Sequence, residues 1–236
     1  MISRRAFLAI AAGSALAPRV VWAAEQVPTM LDHILLGCSD LDQGIAIVER
    51  HSGVRPAFGG VHPGRGTQNA LLSLGNQHYL EVIAPDPKQN VDAKGPSLLS
   101  ALKQLSQPRL VDWAVHTINI QGAATRLRSA GIGFHGPTPG LRRRPDGHVL
   151  NWKTLNLDDD HHGLIPFFIE WGADSMHPSL DAPAGCELVS FAVEGPDPAG
   201  ISEIFKSLGI DVQVERAVKN QLHANIKGPA GKLELT

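Results

Sequence analysis

Three glutamates stand between large apolar residues in short runs that read as strands: Leu80-Glu81-Val82, Ile169-Glu170-Trp171 and Leu233-Glu234-Leu235. A carboxylate in such a run is costly to bury unless a metal, a base or ordered water meets it. Glu81 and Glu170 are therefore candidates for moving a proton or holding a cation. One histidine has the same setting, His33 in Leu-Asp-His-Ile-Leu-Leu. It reads as a metal ligand or cavity residue, with a buried, hydrogen-bonded structural histidine as the alternative. Glu234, two residues from the carboxyl terminus, is as readily a solvated side chain.

The string His62-Pro63-Gly64-Arg65-Gly66-Thr67-Gln68-Asn69 combines a tight turn with four groups able to touch a ligand: His62, Arg65, Thr67 and Asn69. Glycines on either side of Arg65 let the backbone come close to another group, and a guanidinium suits a carboxylate or phosphate. The plainer alternative is an irregular hairpin loop with polar trim. His62 is preferred as a mobile ligand or acid/base. Asp158-Asp159-Asp160-His161-His162 resembles a metal cluster in composition only, because adjacent residues cannot all converge on one ion, and it reads as a solvated loop. Arg142-Arg143-Arg144 reads as part of a turn at a cavity rim, and Ser190 lacks any nucleophile-elbow context.

These residues need elements to position them. Three segments open with an apolar run (31–38, 110–118 and 187–193), continue into a helix (about 41–52, 120–130 and 198–208) and leave it at Gly53, Gly131 and Gly209, spaced 78 and 78 residues apart. A glycine just past a helix supplies the left-handed cap, so one structural event is marked three times. Ser39 and Asp40 are candidate caps for the first helix, and Pro198 suits a first turn. After each helix come Gly/Pro-rich turns, apolar strand patterns and a closing glutamate strand. From glycine to glutamate the distances are 28, 39 and 25 residues, the variation falling in loops. The repeating unit is βαβββ, in an α+β fold with modules at 31–85, 110–172 and 186–236. Between them lie a linker at 86–109 with a short helix at about 97–105 and a proline-rich linker at 173–185.

The chain has 236 residues, and its beginning reads as an address. Ser3-Arg4-Arg5-Ala6-Phe7-Leu8 is a twin-arginine pattern, followed by a short apolar run and a small-residue exit at Val21-Trp22-Ala23, so residues 1–23 are expected to be a signal peptide for periplasmic or secreted export. The apolar run is interrupted by Gly13, Pro18 and Arg19 and is too short for a permanent span, so no membrane contact is expected after cleavage. Removing three arginines with that segment leaves 18 basic against 23 acidic residues, a net charge of −5. With no basic stripe, a nucleic-acid partner is excluded. Cys38 and Cys186 could pair in an oxidising compartment, but a chain of this size needs no staple.

A βαβββ repeat with a histidine on its first strand and a glutamate on its last resembles the vicinal oxygen chelate superfamily, which includes glyoxalase I, extradiol dioxygenases and fosfomycin-resistance proteins. More narrowly, Asp32-His33, the His62–Leu72 string, Tyr79–Pro85, Arg144-Pro145-Asp146-Gly147, Trp152 and Pro166–Gly172 are similar to the glyoxalase-like domain group. The resemblance implies paired modules whose curved mixed sheets enclose a cavity. It also implies a divalent metal (Zn, Ni, Mn, Fe or Mg) held by first and last strands of each module. Carried over, the ligands are His33, Glu81 and Glu170. The second first-strand position falls on or next to Trp113, which cannot ligate, and the third module keeps Glu234 but has Ser190 at its first-strand position. His116 is rejected as a ligand because strand alternation puts it on the face opposite Trp113.

Two functions stay open on this resemblance. The first is a metal-dependent lyase or isomerase that stabilises an enediolate or oxyanion of a small oxygen-rich substrate, with Glu81, Glu170 and His62 catalytic and Arg65, Thr67, Asn69, Trp113 and Trp152 binding substrate. A dioxygenase fits less well with a single well-placed strand histidine, and glutathione adducts are awkward substrates for an exported protein. The second is a non-catalytic protein that sequesters a small molecule. The odd third module, with no partner in the chain, suggests a homodimer through that module.

Overall fold

The computed structural model describes residues 27–91, 97–144 and 146–236; the expected signal segment lies outside them. The first segment contains β1 (Leu31–Gly37), α1 (Leu41–Ser52), β2 (Ala57–His62), β3 (Thr67–Ser73) and β4 (Tyr79–Pro85). A short helix, α2 (Leu98–Lys103), precedes the second segment of β5 (Arg109–His116), α3 (Ile120–Ser129), β6 (Phe134–Arg143), β7 (Val149–Leu157) and β8 (Phe167–Trp171). The third holds β9 (Glu187–Gly195), α4 (Pro198–Leu208), β10 (Val214–Arg216), β11 (Gln221–Gly228) and β12 (Gly231–Leu235).

The helix boundaries follow from local chemistry. The Asp40 side chain accepts the Gln43 N–H at the start of α1, and Gly53, at φ 82°, closes it by donating its N–H to the Glu49 carbonyl. Within α1, Leu41, Ile45 and Val48 are buried at helical spacing, so one face meets the sheet. Pro198 opens α4 and Gly209, at φ 71°, closes it in the same way.

The first two segments share one eight-stranded sheet in the order β2-β3-β4-β1-β5-β8-β7-β6. Its centre is the antiparallel pair β1–β5, flanked by the parallel pairs β1–β4 and β5–β8. The halves are thus related by an approximate two-fold axis. The sheet curls until its outer strands approach: a Cβ on Gly60 of β2 would lie 3.1 Å from the Arg143 carbonyl oxygen of β6.

The third segment repeats the element order but not the strand order, running β10-β9-β11-β12. Its first strand is central, paired in parallel with the three-residue β10 and antiparallel with β11. Apolar residues of this small sheet share one core cluster with those of α1, α3 and the back of the large sheet. The Trp113 ring lies 5.0 Å from Phe191 and 5.8 Å from Phe205, and its Nε1–H donates to the Leu164 carbonyl at 3.0 Å. The apolar face expected to seek a second copy is therefore covered within the chain. Cys38 and Cys186 are both buried free thiols. Among the described residues, no helix is long and apolar enough to cross a membrane.

Candidate active site

Strand alternation fixes which side chains enter the concavity of the large sheet. On β1 these are His33 and Leu35; on β4, Tyr79, Glu81 and Ile83; on β8, Phe167, Ile169 and Trp171. Together with His62, Thr67, Asp112, Arg142 and Trp152 they line a cavity of about 400 Å³, a volume suited to a small molecule.

Glu81 is the hub. Its Oε1 accepts a 2.6 Å hydrogen bond from Asn69 Nδ2 and lies 3.8 Å from His62 Nε2, while its Oε2 is 3.7 Å from His33 Nε2. Burial pushes the Glu81 carboxyl upward, but His62, His33, Arg142 and the Asn69 hydrogen bond outweigh it and hold the carboxyl below its usual range. The group is an anion at neutral pH. His62 is the reverse case, since burial and the nearby Arg142 and Arg65 outweigh Glu81 and bring it down to about 4. The His62 ring contacts Thr67 Oγ1 at 2.9 Å through Nδ1, and its Nε2 faces Asn69 Nδ2 at 3.5 Å.

His33 is held by Asp32, whose Oδ1 is 2.6 Å from His33 Nδ1. The other Asp32 oxygen accepts from Trp171 Nε1 at 3.0 Å and His177 Nε2 at 3.2 Å. Burial opposes ionisation of Asp32, but the bonds from His177 and His33 keep it strongly acidic. The Tyr79 ring stacks on His33 at 4.4 Å. Position and tautomer of the His33 ring are thus set by its neighbours.

His33, His62, Glu81, Thr67, Asn69 and Trp152 are therefore brought together, with Arg65 exposed at the cavity's margin. Two expected residues are not. Trp113 pairs across the seam with Ile34 on the helix-covered face and is wholly buried in the core, so it cannot bind substrate. Glu170 neighbours Ile169 on β8 and points to the opposite side. There it accepts the Ile120 N–H at 2.8 Å and an ion pair from Lys153 at 3.1 Å, tying down the start of α3. It does not face the cavity. Arg142, expected in a rim turn, lies on β6 and enters the cavity. His116 lies, as expected, on the face opposite Trp113, which is the face of Asp112, but at the strand end outside the cavity lining. Glu234 is exposed and pairs with His223 at 3.1 Å.

The two-fold relation explains the miss. His33 faces Ala114 across the seam, Tyr79 lies beside His33, and Phe167 lies beside Ala114. Two residues farther on, Glu81 corresponds to Ile169 rather than Glu170. The second half thus offers Ala114 and Ile169 where the first offers His33 and Glu81. Among the described residues no group of three or more His, Cys, Asp or Glu is arranged to hold a metal ion. The residues do not fit the expected divalent metal: two donor positions are hydrocarbon, one Glu81 oxygen is bound to Asn69, and the positive Arg142 acts on the same carboxylate.

Asp112 was missed by sequence reading. It pairs with Leu35 across the seam, and Leu35 in turn pairs with Glu81, so one transverse row reads Glu81, Leu35, Asp112. Burial and the charges of Asp160 and Glu81 push the Asp112 carboxyl well above its ordinary value, against a single lowering bond from the Trp113 N–H. Its surroundings favour the proton-bearing form, where those of Glu81 favour the anion. The available signal was an aspartate inside Leu110-Val111-Asp112-Trp113-Ala114-Val115, the same apolar setting that marked Glu81.

Residues 31–209 match the family model described as a glyoxalase-like domain. A hypothetical protein from Staphylococcus aureus is similar in structure, with a TM-score of 0.59 at 16% identity over 87% of this chain and 84% of that one. Methylmalonyl-CoA epimerase from Mycobacterium tuberculosis aligns at 21% identity and a TM-score of 0.43 over 65% of this chain and 93% of its own. A variant of methylmalonyl-CoA epimerase from Streptomyces coelicolor, in complex with 2-nitronate-propionyl-CoA, aligns at 20% identity and a TM-score of 0.46 over 62% and 100%. No curated protein matches the sequence.

Proposed function

The chain belongs to the glyoxalase-like domain family, and on that premise we propose that it catalyses proton transfer at a carbon beside a carbonyl group of a small molecule, an isomerase- or lyase-type reaction. The observation that carries this reading is the placement of two carboxyl groups on one cavity and one sheet row, in surroundings that shift them in opposite directions. Glu81, held as the anion, takes the proton from carbon. Asp112, held neutral, donates a hydrogen bond to the oxygen on which charge develops. Two carboxyls driven apart by their surroundings are a general base and a general acid in one site.

The remaining residues serve that transfer. Asn69 fixes the Glu81 carboxylate through Oε1, leaving Oε2 toward His33. His62 lies 3.8 Å from the same carboxylate and shapes its surroundings. Phe167, Ile83 and Leu35 supply apolar walls, which strengthen each electrostatic contact inside. No step is assigned to a divalent metal, because the donor set described above does not converge on one.

The test is deuterium incorporation from heavy water into small carbonyl compounds, followed by NMR with and without chelator. Exchange that needs Glu81 and survives chelation supports the reading; a Glu81→Gln protein that exchanges as fast as the parent ends it. A second reading, sequestration without turnover, is favoured by Ala114 and Ile169 standing where the first half has His33 and Glu81. It predicts ligand binding with no exchange for any carbonyl compound bound. Export to the periplasm or beyond is supported by the twin-arginine pattern at Arg4-Arg5. Replacing both arginines by lysine and locating the product tests it.

A further inference from the structure

Arg142 is 3% exposed and lines the cavity, yet among the described residues no hydrogen bond or ion pair reaches its guanidinium, and its Nε is buried without a partner. Its neighbours on the chain have acidic or carbonyl partners, although the Nε of Arg144 is, like that of Arg142, buried without a hydrogen bond. Arg143 donates to the Gly147 carbonyl at 3.1 Å, and Arg144 is ion-paired with Asp181 and Asp146. A guanidinium whose Nε is buried with no acceptor is destabilising unless a ligand completes it.

The fold clears a path for this side chain. Its stem crosses the seam where the outer strands of the curled sheet meet, over Gly60 at φ 129°. A Cβ there would stand 3.2 Å from both Arg142 Cγ and Cδ. Any larger residue at position 60 would push the stem aside. The seam therefore delivers one fixed positive charge into the cavity, near enough to Glu81 and His62 to act on both.

We propose that Arg142 binds the carboxylate of the substrate and that the substrate class is small oxo acids, an assignment that rests on the proton-transfer reading of this cavity. A planar carboxylate matches the guanidinium fork. A monoanion is repelled less by ionised Glu81 than a phosphate dianion would be. The apolar part of the acid lies against Phe167, Ile83 and Leu35, and its acidic C–H lies between Glu81 and Asp112.

The experiment compares benzoate, benzamide and phenyl phosphate by calorimetry and thermal shift on the parent, Arg142→Met, Arg142→Lys and Glu81→Gln proteins at pH 7. Benzoate is expected to bind the parent at least tenfold more tightly than benzamide, and more tightly than phenyl phosphate. Arg142→Met should erase that preference while raising the melting temperature of the free protein, because a buried charge without a partner is removed. If the methionine variant does not fold, Arg142→Lys decides, with a loss of at least fivefold in benzoate affinity expected. Equal binding of benzoate and benzamide by the parent, or an undiminished benzoate preference in the arginine variants, overturns the proposal. Tighter binding of phenyl phosphate overturns its carboxylate assignment. Glu81→Gln should keep or strengthen the benzoate preference. If that variant still exchanges protons, the base assignment fails while the anchor stands, since binding is read without turnover.

Discussion

Glu81 and Asp112 occupy one transverse row of the large sheet with only Leu35 between them, each paired with Leu35 across a strand boundary. With strands about 4.8 Å apart, their backbones are roughly 10 Å apart. That leaves room for a carbonyl group over Leu35, with the two carboxyls on opposite sides of it in surroundings that favour the anion at Glu81 and the acid at Asp112.

That arrangement requires a bell-shaped pH dependence. Activity needs Glu81 ionised and Asp112 protonated, so the rate rises with pH through an acid limb below 4.5, the ordinary glutamate value, and falls again as Asp112 ionises above 3.8, its ordinary value. Glu81→Gln is expected to lower exchange by about 10²–10⁴-fold, and Asp112→Asn to remove the alkaline limb. A profile of exchange rate against pH in the asparagine variant checks this, and an unchanged alkaline limb rejects Asp112 as the acid.

His62 makes stability depend on pH. Its folded value of about 4 lies below the ordinary 6.5, so its contribution is fully present above 6.5 and is lost as pH falls from 6.5 through 4. At about 1.4 kcal/mol per unit, the loss is at most on the order of 3 kcal/mol. Melting temperatures of the parent and His62→Gln between pH 4 and 7 should converge at the acid end; parallel curves rule out a buried neutral His62.

Glu170→Gln separates the two faces of β8. The change removes one ion pair to Lys153 and keeps an acceptor for the Ile120 N–H, so a stability cost below about 1 kcal/mol is expected. Exchange rate and benzoate affinity should stay within twofold of the parent. A large loss of either with an intact melting temperature would return Glu170 to the site.

Trp113→Ala should behave as a core truncation. Its ring packs on Phe191 and Phe205 between the two sheets, so a loss of about 3–5 kcal/mol in denaturant unfolding is expected. The folded fraction should bind benzoate as the parent does. Weakened binding without lost stability would contradict the placement of this ring.

How far the sequence could be read differs from residue to residue. Asp40, Gly53, Pro198 and Gly209 announced helix ends because capping is a transaction between residues three or four apart. His33 and Glu81 stood out as polar groups in apolar strands. Asp112 carried the same signal beside Trp113, but the face of β5 could not be phased locally. The pairing of β1 with β5 shifts register between Leu31 and His33 and again between Leu35 and Leu36, and each shift moves the alternation by one. Arg142 was hidden differently, since β6 is rich in glycine and proline and its apolar alternation is weak.

From sequence alone came the order of elements, the three βαβββ segments, the family resemblance and one half of the site, because these depend on periodicity and caps within a few residues. Tertiary structure alone decided that the first two segments pair, that the third covers their back, and that Asp112 and Arg142 face Glu81 while Glu170 and Trp113 turn away. The physical reason is the two-residue period of a strand: a slip of one position sends every side chain to the other face, and only pairing with distant strands chooses between the two.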